Sequence, residues 1–253
     1  MERVIKRLKK IIGFSKKSLI NLNPGDFQRR LMADKEILYM AETFGACWRY
    51  DYQAAAEGRV GMHAILKCGA HSDIFFNAKI FLSRPNVMEI VSFQLALKYC
   101  LHPSYTRPDW VLGIPDGAKK LGEDLARCFK AKPAEMEKEN GKLILKSRIR
   151  PLESVLIAED LCTRGTGLAE AAREILAKQP RARLIRQELA VINRGGSNYI
   201  KIDDVREFGI ISLARLKAND WPADNCPLCR VGSEPIKPKA TDENWNLITN
   251  SQI

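Results

Sequence analysis

No stretch of this chain approaches the roughly 20 consecutive apolar residues that a bilayer-spanning helix requires. The basic N-terminus also lacks the uninterrupted apolar core of a signal peptide, so none is expected. Cysteine is present but unpaired in pattern: seven residues, at 47, 68, 100, 128, 162, 226 and 229. An odd, scattered set argues against a disulfide framework and for a reducing, cytoplasmic setting. Internal repeats and low-complexity tracts are lacking too. What is left is ordinary for a soluble globular protein, with 45% hydrophobic and 28% charged residues. The 253 residues allow one sizeable α/β domain with an extension, or two small domains. The net charge of +11 suits anionic partners, whether polyphosphorylated small molecules, nucleic acid or a membrane surface, and does not choose among them.

Along the chain, Val4, Ile5, Leu8, Ile11 and Ile12 recur at helical spacing within residues 1–23, with Arg3, Lys6, Arg7, Lys9 and Lys10 on the other faces. This segment reads as a helix docked on the domain or on a second copy, its basic face solvated, rather than as a membrane or nucleic-acid helix. Asn23–Asp26 is a turn, and Asp26 is the expected N-cap of a helix over 27–43. The aromatic stretch with Tyr39, Phe44, Trp48 and Tyr50 is expected to pack. From residue 60, strand-like segments near 60–67, 73–78, 109–114, 133–138, 142–147, 154–160 and 184–193 alternate with helical patterns near 86–101, 117–129 and 167–178. That alternation predicts βαβ units and a mainly parallel sheet, with the ligand crevice at the carboxyl ends of its strands.

The most informative segment is Val155–Gly167. A buried-strand run ends in two adjacent carboxylates, Glu159 and Asp160. The loop Thr163–Arg164–Gly165–Thr166–Gly167 follows and leads into a helical pattern at Leu168, Ala171, Ala172 and Ile175. Such a helix start and its loop N–H groups can hold a phosphate, and the carboxylates can accept hydrogen bonds from vicinal hydroxyls. An ordinary strand-to-helix turn is the alternative for these residues taken alone.

This segment resembles the phosphoribosyl pyrophosphate (PRPP) motif of type I phosphoribosyltransferases. Leu66–Lys67–Cys68–Gly69–Ala70–His71–Ser72–Asp73–Ile74–Phe75–Phe76–Asn77–Ala78 is similar, at eight positions, to the N-terminal hairpin of the orotate branch of that superfamily. Leu189–Gly196 resembles its apolar strand ending in Asp-Arg, with Asn193 in place of the acid. Asp109–Gly122 resembles the strand and turn of its pyrophosphate loop. The similarity spans roughly residues 55–240.

The resemblance implies a type I phosphoribosyltransferase α/β fold, a mainly parallel sheet flanked by helices with a small hood. Residues 1–45 would then be a basic helical extension, 46–240 the phosphoribosyltransferase domain and 241–253 a tail. It implies transfer of ribose 5-phosphate from PRPP to orotate with Mg2+, in a homodimer, with small-molecule partners rather than nucleic acid. Glu159 and Asp160 would hold the ribose hydroxyls. Thr163, Arg164, Gly165, Thr166 and Gly167 would cradle the 5′-phosphate, Arg164 standing where Thr or Ala is usual. Lys67, Pro115, Asp116, Gly117 and Ala118 would serve PRPP or pyrophosphate, and Phe75, Phe76 and Arg194 the base. An arginine fork can take the orotate carboxylate bidentately. The family's mobile catalytic loop falls at 135–148, shortened to a Glu-Asn-Gly-Lys hairpin turn, with Lys138 and Lys142 as its catalytic candidates. A phosphoribosyltransferase for another base, or a non-enzymatic PRPP-sensing or RNA-binding regulator, fits the same motifs.

One motif is left over. Cys226–Pro227–Leu228–Cys229 is a single Cys-x-x-Cys, whereas structural zinc wants four ligands. There is no second pair, and the histidines lie far away in sequence. No protein-bound metal is therefore expected, a knuckle shared between subunits being the arrangement that would complete a site. Residues 233–253 read as an irregular tail.

Overall fold

The computed structural model describes residues 10–203 and 206–253. Residues 1–9 of the basic amphipathic segment, with Arg3, Val4, Ile5, Lys6, Arg7, Leu8 and Lys9, lie outside the described residues. In chain order the elements are α1 Lys16–Ile20, α2 Asp34–Thr43, β1 Cys47–Arg49, α3 Tyr52–Ala56, β2 Met62–Ile65, β3 His71–Ser72, β4 Ile74–Phe76, α4 Ala78–Leu82 and α5 Pro85–Cys100. There follow β5 Trp110–Gly113, α6 Lys119–Phe129, β6 Lys132–Ala134, β7 Met136–Glu139, β8 Lys142–Leu145, β9 Ser154–Cys162, α7 Thr166–Lys178 and β10 Arg183–Asn193. The chain closes with β11 Tyr199–Lys201, β12 Glu207–Arg215, β13 Asp220–Trp221, α8 Pro227–Arg230, β14 Glu234–Ile236 and α9 Asp242–Asn250. It divides into two units: residues up to Met40 with Leu82–Leu216, and Ala41–Phe81 with Lys217–Ile253.

The larger unit is built on a six-stranded sheet of order β11-β12-β10-β9-β5-β6. All neighbours are parallel except the edge pair β11–β12. Val155, Leu156, Ile157 and Ala158 of β9 have no exposed surface, the two-sided burial that makes a central parallel strand read as a continuous apolar run. Pro133 sits in edge strand β6, where a missing N–H costs no ladder bond. The crossovers fix the site: β5 runs through α6 to β6 on one side, and β9 through α7 to β10 on the other. The chain therefore changes direction between β5 and β9, and a crevice opens at their carboxyl ends.

Three expectations need correction here. The helix expected over 27–43 begins only at Asp34. Gln94 of α5 explains why: its amide donates to the carbonyls of Phe27 and Arg30 and accepts from Met32 N at 2.7 Å. These bonds satisfy the backbone between Phe27 and Met32 without a helix. Asn23, not Asp26, caps the short 3-10 turn before it. The strand expected over 133–138 is two: β6 joins the sheet and β7 turns into a hairpin with β8. No strand was expected beyond 193, yet β12 adds beside β10, its Phe208, Leu213 and Ala214 buried.

The smaller unit is drawn from two separate segments. It holds a four-stranded sheet of order β13-β3-β2-β14 and the antiparallel pair β1–β4. Trp48, Tyr50, Ala64, Leu228, Trp245 and Ile248 make its core. The expected irregular tail is another difference: it contains α9 and strand β14, which pairs in parallel with β2. Thr241 caps α9 by accepting from Asn244 N at 3.0 Å. Asp242 and Glu243 complement the first turn, and Trp245 and Ile248, three apart, bury one face.

Candidate active site

The crevice at the β5 and β9 ends is framed by two βα loops. After β5, Ile114–Ala118 turns tightly into α6, with Ala118 N donating to Ile114 O at 3.0 Å; the Pro115–Asp116 peptide is cis. After β9, Thr163–Gly165 leads into α7, Gly165 taking a left-handed φ of 70° that suits glycine alone without strain. Neither helix has a side-chain cap at its N-terminus. Two helix starts with bare N–H groups thus flank one crevice, an arrangement that attracts anions.

The acidic pair ends β9 between these loops. Asp160 accepts from Leu161 N at 2.8 Å. A Cβ at Gly117 would stand 2.3 Å from an Asp160 carboxylate oxygen, and one at Gly167 2.8 Å from Glu159. Each loop therefore presses its backbone onto one carboxylate, and glycine is required for that approach. Thr163, Arg164 and Thr166 are exposed, as are Asp116 and Gly117; Pro115 is half-buried and Ala118 buried.

Behind Glu159 lies a residue that the sequence reading passed over. Glu188 of β10 has no exposed surface. Among the described residues, its carboxyl oxygens and Oε2 of Glu159 are buried without an N–H or O–H partner. Cys162 Sγ lies within 4.8 Å of both carboxyls, and a proton shared between the two carboxyls would satisfy them. Burial pushes the Glu159 carboxyl up, and the charges of Glu188 and Asp160 push it further, to about 9. Burial likewise raises Glu188 and, with both glutamates nearby, the Cys162 thiol. The signal was a lone acid just before the apolar run Leu189–Ile192.

Arg194 is buried at the end of β10, its N–H donating to Cys162 O at 2.8 Å. Asn193, in place of the usual acid, braces the following loop by donating to Ser197 O at 2.7 Å and accepting from Gly195 N at 3.1 Å. A Cβ at Gly195 would overlap Thr163 O, so this loop packs on the Thr163–Gly167 loop. The larger unit thus brings together Glu159, Asp160, the 163–167 and 115–118 loops and Arg194.

Other candidates lie elsewhere. Lys138 and Lys142 are exposed on the β7–β8 hairpin, whose turn residues Asn140 and Gly141 take positive φ of 50° and 81° as a type I′ turn requires. Glu170 and Glu174 of α7 accept from Leu143 N and Leu145 N at 2.9 and 3.0 Å, anchoring that hairpin. Among the described residues, neither lysine bonds to the carboxylates. Lys67, Phe75 and Phe76 belong to the smaller unit. Lys67 is exposed at the β2–β3 turn. Phe75 is half-buried, its ring 6.0 Å from that of Trp245. Phe76 has 1% exposure and packs edge-on against Phe81, so of the two expected base walls it is the one turned into the core.

No model of a known protein family matches the chain. It is 28% identical over 186 residues to an orotate phosphoribosyltransferase of Nitratiruptor sp., covering 70% of this chain and 90% of that protein. An orotate phosphoribosyltransferase of Caldicellulosiruptor bescii is 28% identical over 190 residues, covering 74% and 92%. In fold, the crystal structure of the Aeropyrum pernix orotate phosphoribosyltransferase superposes with a TM-score of 0.54 at 14% identity, over 71% of this chain and 93% of that one. Leishmania donovani UMP synthase superposes with a TM-score of 0.55 at 14% identity, over 73% of this chain and 37% of that one. In fold the chain is a phosphoribosyltransferase-type α/β protein, and in sequence it is similar to orotate phosphoribosyltransferases.

Proposed function

We propose that this chain transfers ribose 5-phosphate from PRPP to N1 of orotate, giving orotidine 5′-monophosphate and pyrophosphate. The observation that carries the reading is the acidic pair at the sheet's switch point, flanked by two uncapped helix N-termini. Few ligands other than a phosphorylated sugar need both hydroxyl acceptors and anion donors at that spacing.

In this reading Thr163–Gly167 and the α7 start hold the 5′-phosphate, and the 115–118 loop and α6 start receive pyrophosphate. Asp160, kept in place by Leu161 N–H, accepts from the ribose hydroxyls. Arg194 takes the orotate carboxylate. The reaction passes through an oxocarbenium-like state with charge leaving on pyrophosphate, so positioning and electrostatics do the work rather than covalent catalysis.

Hard oxygen donors, one of them buried without a partner, suit Mg2+, and Glu159 and Asp160 are the residues that would hold it, directly or through water. A bound ion there would supply positive charge to offset the negative charge developing on the leaving pyrophosphate. For Glu159 to take part, the proton it shares with Glu188 must leave.

The reading extends to a homodimer in the cytoplasm. The seven free thiols support the compartment, and size-exclusion chromatography with light scattering checks the dimer. The activity is tested by following orotate absorbance with PRPP and Mg2+. Orotate consumed with matching pyrophosphate release supports the reading. Release only with another base, or none, overturns it.

A further inference from the structure

We propose that His63, His71, Cys226 and Cys229 form a structural zinc site. The two histidines come from strands β2 and β3 of one hairpin, and the two cysteines from the start of α8, more than 150 residues later in the chain. Their ligand atoms all lie within 4.8 Å of one another. His63 Nε2 is 2.9 Å from His71 Nδ1 and 3.5 Å from each cysteine sulfur. Cys229 Sγ is 3.4 Å from His71 Nδ1. Tetrahedral zinc at ordinary bond lengths separates sulfur from nitrogen by about 3.6 Å and nitrogen from nitrogen by about 3.3 Å. The four separations just given stand within a few tenths of an ångström of these figures.

The surroundings match as well as the distances. Ser233 Oγ donates to Gly61 O at 3.1 Å, which leaves its lone pairs to accept from His63 Nδ1, 3.0 Å away. That bond places the His63 proton on Nδ1 and bares Nε2 toward the sulfurs, as the outer partner of a metal-bound histidine does. His63, His71 and Cys226 are buried, with 0%, 6% and 2% exposure. Both thiols are free, and a sulfur with so little surface is poorly placed for disulfide exchange with a partner. Two thiolates with two imidazoles in a closed tetrahedron select zinc over harder cations. The smaller unit is assembled from two separate segments of chain, and these four side chains cross-link one to the other. The hairpin so pinned is the one that carries Lys67 at its turn.

The test uses the full-length protein purified under reducing conditions without chelator. Elemental analysis should find about one zinc per chain, as a closed four-ligand site requires. Replacement by Co2+ should give tetrahedral d–d bands and a thiolate charge-transfer band. Cys226→Ser and His71→Ala should lose both signals, whereas Cys68→Ser, at an exposed thiol of the same unit, should keep them. Folded wild-type protein with reduced thiols that holds no zinc and gives no tetrahedral cobalt spectrum would overturn the proposal, as would a Cys226–Cys229 disulfide in that preparation. Should the variants fail to fold, the wild-type metal content and cobalt titration still decide. Neither readout depends on activity toward orotate.

Discussion

Glu159 and Glu188 stand on neighbouring parallel strands, two residue pairs apart along the ladder, with carboxyl oxygens within 4.8 Å of each other. Glu188 is buried and Glu159 half-buried. Burial with their mutual repulsion raises the Glu159 carboxyl and burial raises Glu188, which favours retention of a proton by the pair. Such a dyad titrates as a unit. Its chemistry is gated: the first carboxylate of the acidic pair ionises only when pH rises or a cationic ligand arrives.

The KM for PRPP should therefore fall as pH rises from about 6 toward the raised Glu159 value of about 9. Glu188→Gln removes the opposing charge while keeping the volume, which lowers the Glu159 pKa and moves this transition to lower pH. Folding stability should run the other way. A carboxyl at 4.5 in the unfolded chain and about 9 in the folded one binds more protons when folded, so stability is fullest below pH 4.5 and falls as pH rises through 9. Initial-rate kinetics and urea unfolding at several pH values check both, and a flat KM profile in the wild type would contradict the shared proton.

Asp160→Asn should lower turnover about a hundredfold or more, the scale of a lost electrostatic contact in the transition state. Its melting temperature should stay near that of the wild type, because among the described residues the side chain bonds only to the adjacent N–H. Near-normal kinetics in this variant would remove Asp160 from the site.

Gly117→Ala tests the same carboxylate from the opposite loop. The new Cβ would come 2.3 Å from Asp160, so either the loop or the carboxylate must move. Misplacement by about 1 Å can cost about a hundredfold in rate. Circular dichroism should show an unchanged fold, since Gly117 is exposed.

Arg194→Ala should raise the KM for orotate by about a hundredfold, the scale of removing one partner of a buried charged pair. The KM for PRPP should change far less. Arg194→Lys should rescue little, because an ammonium cannot reproduce the planar fork. Equal loss for both substrates would point to a structural role for Arg194 instead.

Much of the larger unit was legible because its signals are local. The run Val155–Ala158, the acidic pair and the glycine turn lie within a dozen residues, and α5, α6 and α7 fall within two residues of their expected starts and ends. Glu188 was missed because the proximity that defines it lies across strands rather than along the chain. His63, His71 and the two cysteines are legible as types, but only the β2–β3 hairpin and its pairing with β14 and β13 join them. Irregular Phe27–Ala33 was read as helix because its backbone is satisfied by Gln94, 60-odd residues on, which no local pattern announces.

The C-terminal segment gives the last prediction, where a tail and an integral part of the fold lead to opposite outcomes. Trp245 has 9% exposure in the core of the smaller unit and lies against Phe75. Beyond it, Gln252 accepts from Asp51 N at 2.9 Å and donates to Asp51 O at 2.8 Å, tying the chain end to the N-cap of α3. A tail would tolerate removal, whereas this segment fills a core and satisfies backbone groups. Trp245→Ala should destabilise the protein by about 3–5 kcal/mol, the usual cost of emptying an aromatic site. Truncation after Ala240 should cost at least as much, since it also removes the acceptor of Asp51 N–H. Chemical denaturation followed by circular dichroism measures both. A truncated protein as stable as the full chain would mean that residues 241–253 only decorate the smaller unit.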